Sequence, residues 1–362
     1  MRALVLVGGE GTRLQPLTLT QPKPAVPLVD RPFIRYMVDW LARHGIDDVI
    51  MACGFRADLL RERLGDGGGD GPKIRYVEEP EPLGTAGPIR FAADLLDDRF
   101  LVLNGDCLSD LDLTALMRRH AERRAIGTLA LYPVDDVSGY GLVRRRDDGE
   151  IVEFLEKPDP AEADTDEINA GAYVLERRVL DLIPDGRAVS IEREVFPRLV
   201  GCGLYGLRLE GYWMDIGTPE RYLQATWDIL ERRVETDVGT SLAGDGAMLE
   251  EGVRVDEAAN LRAPALIEHG AEIGAGAVVG PRAVVGRGTE IRDGARIDGS
   301  VVLHGCWIGP NAAVEGAILA SGVQVGERAI VPAGAVVGEG AHIKPGTNLE
   351  PSARIAPGEE VG

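Results

Sequence analysis

The chain has 362 residues, 44% hydrophobic and 27% charged, with a formal net charge of −20. It is too long for one ordinary core and long enough for two domains, the first with room for a full α/β sheet. No apolar run is long enough to span a bilayer, and so acidic a chain is a poor partner for nucleic acid, whose phosphates are held by clustered Lys and Arg.

The segment Met1 to Gly8 has an apolar run only a strand long that ends in glycines rather than a cleavage site, so it reads as a first β-strand, Ala3 to Val7, of a cytoplasmic protein. An amphipathic stretch, Phe33 to Arg43, and a strand, Asp48 to Ala52, complete a βαβ rhythm. Further strands are expected at Ile74 to Val77, Phe100 to Leu103 and Thr128 to Tyr132, with helices at Ala86 to Leu96 and Leu113 to Arg123. Together these predict a Rossmann-like, mostly parallel sheet flanked by helices. Gly141 to Phe154 reads as a hairpin turning at Asp147-Asp148-Gly149, and Ala172 to Leu175 as another strand. Pro219 to Arg232 is one more helix, and the polar stretch Arg233 to Gly246 reads as a linker. The expected boundaries are a first domain over 1–232, a linker over 233–248 and a second domain over 249–362. Cys53, Cys107, Cys202 and Cys306 lack any paired metal or redox spacing and are expected to be reduced, mostly buried thiols.

Beyond the linker, Leu249, Val255, Leu261, Ile267, Ile273, Val279, Val285, Ile291, Ile297 and Leu303 fall six residues apart. Short residues such as Ala265, Ala271, Ala277 and Ala283 sit four after members of that series. The pattern breaks around His304 to Ile318 and resumes in shifted phase from Leu319 through Val325, Val331, Val337, Ile343, Leu349, Ile355 and Val361. An α-helix turns about 100° per residue and would scatter such a series over three faces. Short strands joined at tight corners would instead place every sixth side chain inside a stacked coil. The repeat resembles the hexapeptide-repeat left-handed β-helix, and its handedness comes from that resemblance.

After the first strand comes Gly8-Gly9-Glu10-Gly11-Thr12-Arg13-Leu14, followed by Pro22-Lys23-Pro24. Glycines just past a strand let backbone N–H groups approach an anion, and Arg13 and Lys23 supply charge for phosphate oxygens. The lysine is too far downstream for a Walker A loop, and Leu14 stands where a dinucleotide fingerprint has its third glycine. Glu81-Pro82-Leu83-Gly84-Thr85 lies between a strand and a helix, with small residues that would admit a flat ring. Asn104-Gly105-Asp106 and Trp213-Met214-Asp215-Ile216-Gly217 end strand-like runs. Either aspartate is a helix cap or a ligand for a hard cation. Glu156-Lys157-Pro158 follows the hairpin, and Asn169-Ala170-Gly171 precedes the strand Ala172 to Leu175.

The loop from Gly8 to Thr18 with Pro22-Lys23-Pro24 resembles the signature of the sugar-1-phosphate nucleotidyltransferases, or NDP-sugar pyrophosphorylases. The resemblance implies that Val7, Gly8, Gly9, Gly11, Thr12 and Arg13 wrap a nucleoside triphosphate, with Lys23 neutralising the reacting phosphates. It gives Leu83, Gly84 and Thr85 contacts to base and ribose, and Glu81 an exocyclic amine. It gives Asp106 and Asp215 a Mg²⁺ ion, Lys157 the sugar phosphate, and Tyr140, Gly141, Glu156 and Asn169 the sugar. Leu83-Gly84-Thr85-Ala86-Gly87-Pro88, Ser190-Ile191-Glu192-Arg193-Glu194-Val195-Phe196-Pro197 and the Trp213 to Gly217 run look most like the GDP-mannose pyrophosphorylases. The implied substrates are GTP and mannose 1-phosphate, with ATP, UTP or dTTP and glucose 1-phosphate or a cyclitol phosphate as the alternative.

Two other classes compete. Hexapeptide domains also serve acyltransferases with a histidine base, for which His269, His304 and His342 are available. A non-catalytic nucleotide-sugar-binding regulator would have lost phosphate or metal groups, whereas Arg13, Lys23, Asp106, Lys157 and Asp215 are all present. The repeats run to the last residues without a capping helix, so contacts within a homo-oligomer are expected through this domain.

Overall fold

A computed structural model describes residues 1–54, 56–69, 71–159, 163–242 and 246–362. The chain falls into two compact units, Met1–Gly9 with Ile34–Trp213, and Glu10–Phe33 with Met214–Gly362.

The first unit is built on a mixed sheet. Strands Ala3–Leu6, Asp48–Cys53, Lys73–Glu78 and Arg99–Asn104 pair in parallel, with Ala3–Leu6 between Asp48–Cys53 and Arg99–Asn104. Strand Glu167–Glu176 joins antiparallel to Arg99–Asn104 and carries both the hairpin Gly141–Arg145/Ile151–Glu156 and the strand Gly127–Pro133. Leu4, Ile50, Phe100, Val102 and Tyr173 form a continuous core with helical residues such as Ile89 and Phe196. Strands buried on both faces read as unbroken aliphatic runs, which is why Ala3–Leu6 and Arg99–Asn104 were legible.

Helices Phe33–Arg43 and Leu113–Arg123 lie where their apolar spacing places them, the second capped by Asp112 through the Ala115 N–H. The expected helix Ala86 to Leu96 is two shorter pieces, Gly87–Phe91 and a 3₁₀ turn Ala93–Leu95. A helix Ala57–Leu64 was not foreseen, because its charged composition leaves only Ala57 and Leu60 buried. Asp237–Ser241 forms a short capped helix within the segment read as linker. Cys53, Cys107 and Cys306 are buried free thiols, and Cys202 is exposed. Among the described residues no helix is long and apolar enough to cross a membrane.

The second unit contains three all-parallel sheets whose strands alternate along the chain, the β-helix that the hexapeptide spacing predicts. Ile267, Ile273, Val279, Val285, Ile291 and Ile297 point into one core with Ala265, Ala271, Ala277 and Ala283. The phase shift lies elsewhere than expected. After Ile297 the next inward residue is Val302, not Leu303, and Val285 pairs with Val302 one residue sooner than three hexapeptides would bring it. Val314 is followed inward by Leu319 in the same way, so the coil drops one residue at each of two corners, near Gly299 and Gly316. Between them Ile308 and Val314 keep the six-residue step. The buried Ser300 hydroxyl accepts the Ala317 N–H at the shortened corner and donates to the Asp298 carbonyl, which also accepts the Gly316 N–H.

Candidate functional site

In the first unit Val7, Gly8, Gly9, Asp106 and the Leu83-Gly84-Thr85 turn follow the carboxyl ends of the parallel strands, where open α/β sheets bind ligands. Val7 is held by its N–H to Ala52 O at 2.9 Å. A Cβ on Gly54 would meet Gly8 O at 2.9 Å, and one on Gly105 would meet Val7 Cγ1 at 2.5 Å and Leu6 O at 2.6 Å. The ends of three adjacent strands therefore pack closely together, and Asp106 emerges half-buried beside the start of the glycine loop.

The Leu83-Gly84-Thr85 turn is shaped by its neighbours. Gly84 has φ +75°, and its Cβ would lie 2.6 Å from Val189 O. Leu83 is buried, so a ligand here would meet its backbone rather than its side chain. Glu81, expected to accept from a base, is exposed and shows no bond that shapes the turn. Glu79 instead accepts the Leu83 N–H at 3.0 Å, and burial pushes its carboxyl above the usual range. Thr85 donates to Glu192 at 2.6 Å. Sequence reasoning missed both glutamates. Glu79 sits in a Glu-rich stretch where nothing marks which one turns inward, and the signal for Glu192 was only its motif.

The residues expected on the sugar side lie around the hairpin. Lys157 N–H donates to Tyr140 O at 3.0 Å, and a Cβ on Gly141 would meet Glu156 Oε2 at 3.0 Å. Tyr140 packs edge-on against Trp213, with ring centroids 5.4 Å apart, and the Trp213 indole donates to Ala170 O. Asn169-Ala170-Gly171 is an irregularity in strand Glu167–Glu176, where the pairing register shifts. Gly171 has φ +74°, and a Cβ there would lie 2.8 Å from Asn104 Nδ2, so this bulge presses on the loop that carries Asp106. The Asn169 amide is already engaged, donating to Tyr173 OH and accepting from Gly171 N–H, each at 3.0 Å. Burial first, and then the charge of Glu192, raise the Glu156 carboxyl above its ordinary range, against Lys157 and Arg193.

The second unit holds the rest of the loop. Gly11 has φ +65°, and a Cβ there would come within 2.9 Å of Lys23 Cβ. Thr18 closes this turn by donating to Gly11 O at 2.9 Å. Lys23 is buried at 9% exposure, while Thr12 and Arg13 are exposed. Arg13 and Asp215 both flank Gly217, whose absent Cβ would lie 2.9 Å from Arg13 Nη2 and 3.1 Å from Asp215 Oδ2. Asp215 is ion-paired with Arg221, in the first turn of helix Pro219–Leu230, which Thr218 caps. Tyr222 of that helix donates to Pro27 O, tying it to the segment that follows Lys23. On the β-helix, His304 contacts the buried Glu268 at 3.1 Å, His269 is exposed and His342 lies in a strand.

Residues 2–232 match the nucleotidyl transferase family, and residues 261–361 match the GMPPB C-terminal domain. A mannose-1-phosphate guanylyltransferase of Mycobacterium tuberculosis is 39% identical over 322 residues, 86% of this chain and 82% of that protein. A mannose-1-phosphate guanyltransferase of Yarrowia lipolytica is 42% identical over 62% of this chain and 63% of that protein. A UTP–glucose-1-phosphate uridylyltransferase of Synechocystis is 36% identical over 65% of each. The crystal structure of HddC from Yersinia pseudotuberculosis superposes with a TM-score of 0.54 at 29% identity, covering 62% of this chain and 97% of that one. On the family match to residues 2–232, most of its length, this chain belongs to the nucleotidyl transferases.

Proposed function

We propose that the protein transfers a guanylyl group from GTP to mannose 1-phosphate and releases pyrophosphate. The observation that carries this reading is the 39% identity, over most of both chains, with a mannose-1-phosphate guanylyltransferase. The sugar phosphate oxygen attacks the α-phosphorus in line, forming the new phosphoanhydride as the bond to the β-phosphate oxygen breaks. No nucleophilic side chain is required. Two anions must be brought together, so the work is positioning and charge neutralisation.

In this reading Val7, Gly8, Gly9, Gly11 and Thr12 offer backbone N–H groups to the triphosphate, and Arg13 and Lys23 neutralise its oxygens. Leu83, Gly84 and Thr85 receive base and ribose, with Glu81 at the base edge. Lys157 pairs with the sugar phosphate, while Tyr140, Gly141, Glu156 and Asn169 line the sugar. Asp106 and Asp215 offer the hard carboxylate oxygens that Mg²⁺ prefers, and Asp215 keeps Oδ2 beside Gly217 while Arg221 pairs with Oδ1. Bound there, Mg²⁺ would supply charge neutralisation at the phosphates. The reading places the catalytic domain at 1–232, the linker at 233–248 and the β-helix at 249–362, in a cytoplasmic homo-oligomer assembled through the β-helix.

A second reading, UTP with glucose 1-phosphate, is favoured by the Synechocystis relative. Base choice turns on one or two hydrogen bonds, so the two differ by little in the site. Pyrophosphate release with Mg²⁺, each of five nucleoside triphosphates and either sugar phosphate separates them. Strong release with GTP and mannose 1-phosphate alone supports the first reading. Release with UTP and glucose 1-phosphate replaces the substrates and keeps the chemistry, and no sugar-dependent release with any pair overturns both.

A further inference from the structure

The segment Ser190 to Glu194 has no part in the chemistry above, yet the Glu192 side chain and the Ile191 N–H are both bonded to Thr85, in the turn proposed to receive the nucleotide. Glu192 Oε2 accepts from the Thr85 hydroxyl at 2.6 Å and from the Ser190 hydroxyl at 2.8 Å. A threonine hydroxyl has one hydrogen, so while donating to Glu192 the Thr85 oxygen accepts the Ile191 N–H at 2.9 Å. Backbone bonds run alongside, from Val189 N–H to Leu83 O at 2.9 Å and from Ala86 N–H to Val189 O at 2.8 Å.

The local winding explains how Glu192 reaches the turn. Ile191–Val195 form a single π-helical turn, an uncommon conformation that concentrates at functional sites. Ser190 caps it, accepting the Arg193 N–H at 3.2 Å. Ile191 and Val195 are buried in the sheet core, and Glu192 is left half-buried against Thr85. Gly84 has no side chain and Leu83 has its own in the core, so Thr85 supplies the turn's polar side-chain anchor, and Glu192 is the charged group that holds it.

We propose that Glu192 is a positioning residue for nucleotidyl transfer, fixing the Leu83-Gly84-Thr85 turn in the shape that receives base and ribose. It takes the identity of the bound ligand from the function proposed above.

The test is calorimetric titration of GTP, with Mg²⁺ and without sugar phosphate, into wild type, Glu192→Ala, Thr85→Val, the double variant and Glu192→Gln, with thermal midpoints measured in parallel. A hydrogen bond to a carboxylate is stronger than a neutral one, so each of the first two variants should weaken GTP binding roughly tenfold. The double variant should lose no more than either alone, because both act through one bond. Glu192→Gln, whose amide oxygen still accepts both hydroxyls, should lose roughly threefold or less. Wild-type affinity in a folded Glu192→Ala, or fully additive losses in the double variant, would overturn the proposal. A lowered midpoint with unchanged affinity would do the same, since it marks a purely structural role. Wild type that binds no GTP overturns the substrate reading as well, whereas wild-type binding with an indifferent Glu192→Ala removes this proposal alone.

Discussion

The indole N–H of Trp227, on helix Pro219–Leu230, donates a 3.2 Å hydrogen bond to the carbonyl of Gly299, at a corner where the β-helix drops a residue. Gly299 has φ +53°, and a Cβ there would lie 3.6 Å from the indole and 4.0 Å from Gly316 on the next coil. Arg282 covers the ring at 5.5 Å and pairs with Glu231. The two shortened corners thus stack on each other where the helix meets the coil.

Removing that contact should loosen the second unit. Trp227→Ala deletes a half-buried ring with its hydrogen bond and cation contact, and should cost about 2–3 kcal/mol, less than a fully buried tryptophan. Trp227→Phe keeps most of the packing and loses the N–H donor, for about 1 kcal/mol. Denaturant unfolding of both variants checks the order. An unchanged midpoint for Trp227→Ala would mean that the contact contributes nothing to holding the helix.

Asp106→Asn tests the metal reading. The side chains are isosteric and Asp106 is only half-buried, so the melting temperature should stay close to wild type. Loss of a carboxylate from a two-carboxylate Mg²⁺ site should lower turnover roughly a hundredfold or more and raise the Mg²⁺ concentration needed. Chelation should abolish turnover in the wild type. Wild-type turnover by the variant at limiting Mg²⁺ would remove Asp106 from the site.

What the sequence disclosed depended on whether a residue's environment leaves a periodic trace. The hexads from Ile267 to Ile297 were readable because each sends one large aliphatic and one short side chain into a narrow core, and the larger recurs every sixth residue. The shortened corner was not, because Val301, Val302 and Leu303 are consecutive aliphatics, all buried, and only the pairing of Val285 with Val302 selects among them. Asp106 and Lys23 stand in recognisable loops. Glu79 and Glu192 act through single hydrogen bonds on turns whose shape no hydropathy pattern records.

Gly105→Ala should harm the site without touching a charged group. The added carbon would sit 2.5 Å from Val7 Cγ1 and 2.6 Å from Leu6 O, and the second of these is backbone that cannot swing aside. Overpacking of this kind costs about 1–3 kcal/mol. The strain falls on the residue that precedes Asp106, so turnover should fall more steeply than stability. Thermal melts and pyrophosphate release on the same preparation compare the two. Full turnover would show that the loop tolerates the shift.

The pH profile should report Glu156. Burial and the neighbouring Glu192 hold its carboxyl above the ordinary glutamate range, with Lys157 and Arg193 opposing. A carboxylate accepts sugar hydroxyls only through oxygens free of a proton, so kcat/KM for the sugar phosphate should fall on the acid side at a higher pH than an unperturbed glutamate would give. The substrate's own phosphate also titrates, with a second pKa near about 6, so the variants must be compared on one substrate. Glu192→Gln removes the second cause, lowers the Glu156 value and should move the acid limb to lower pH. Glu156→Gln should erase its share of the limb and lower the plateau. The stability sign is opposite to that of a salt-bridged acid. With the folded value above the unfolded one, the folded state binds the extra proton, and this group's contribution to stability declines as pH rises through that window. Glu156→Gln should therefore flatten that decline in melts taken upward from the ordinary glutamate value of about 4.3. An acid limb that stays in place in both variants would take Glu156 out of the sugar site.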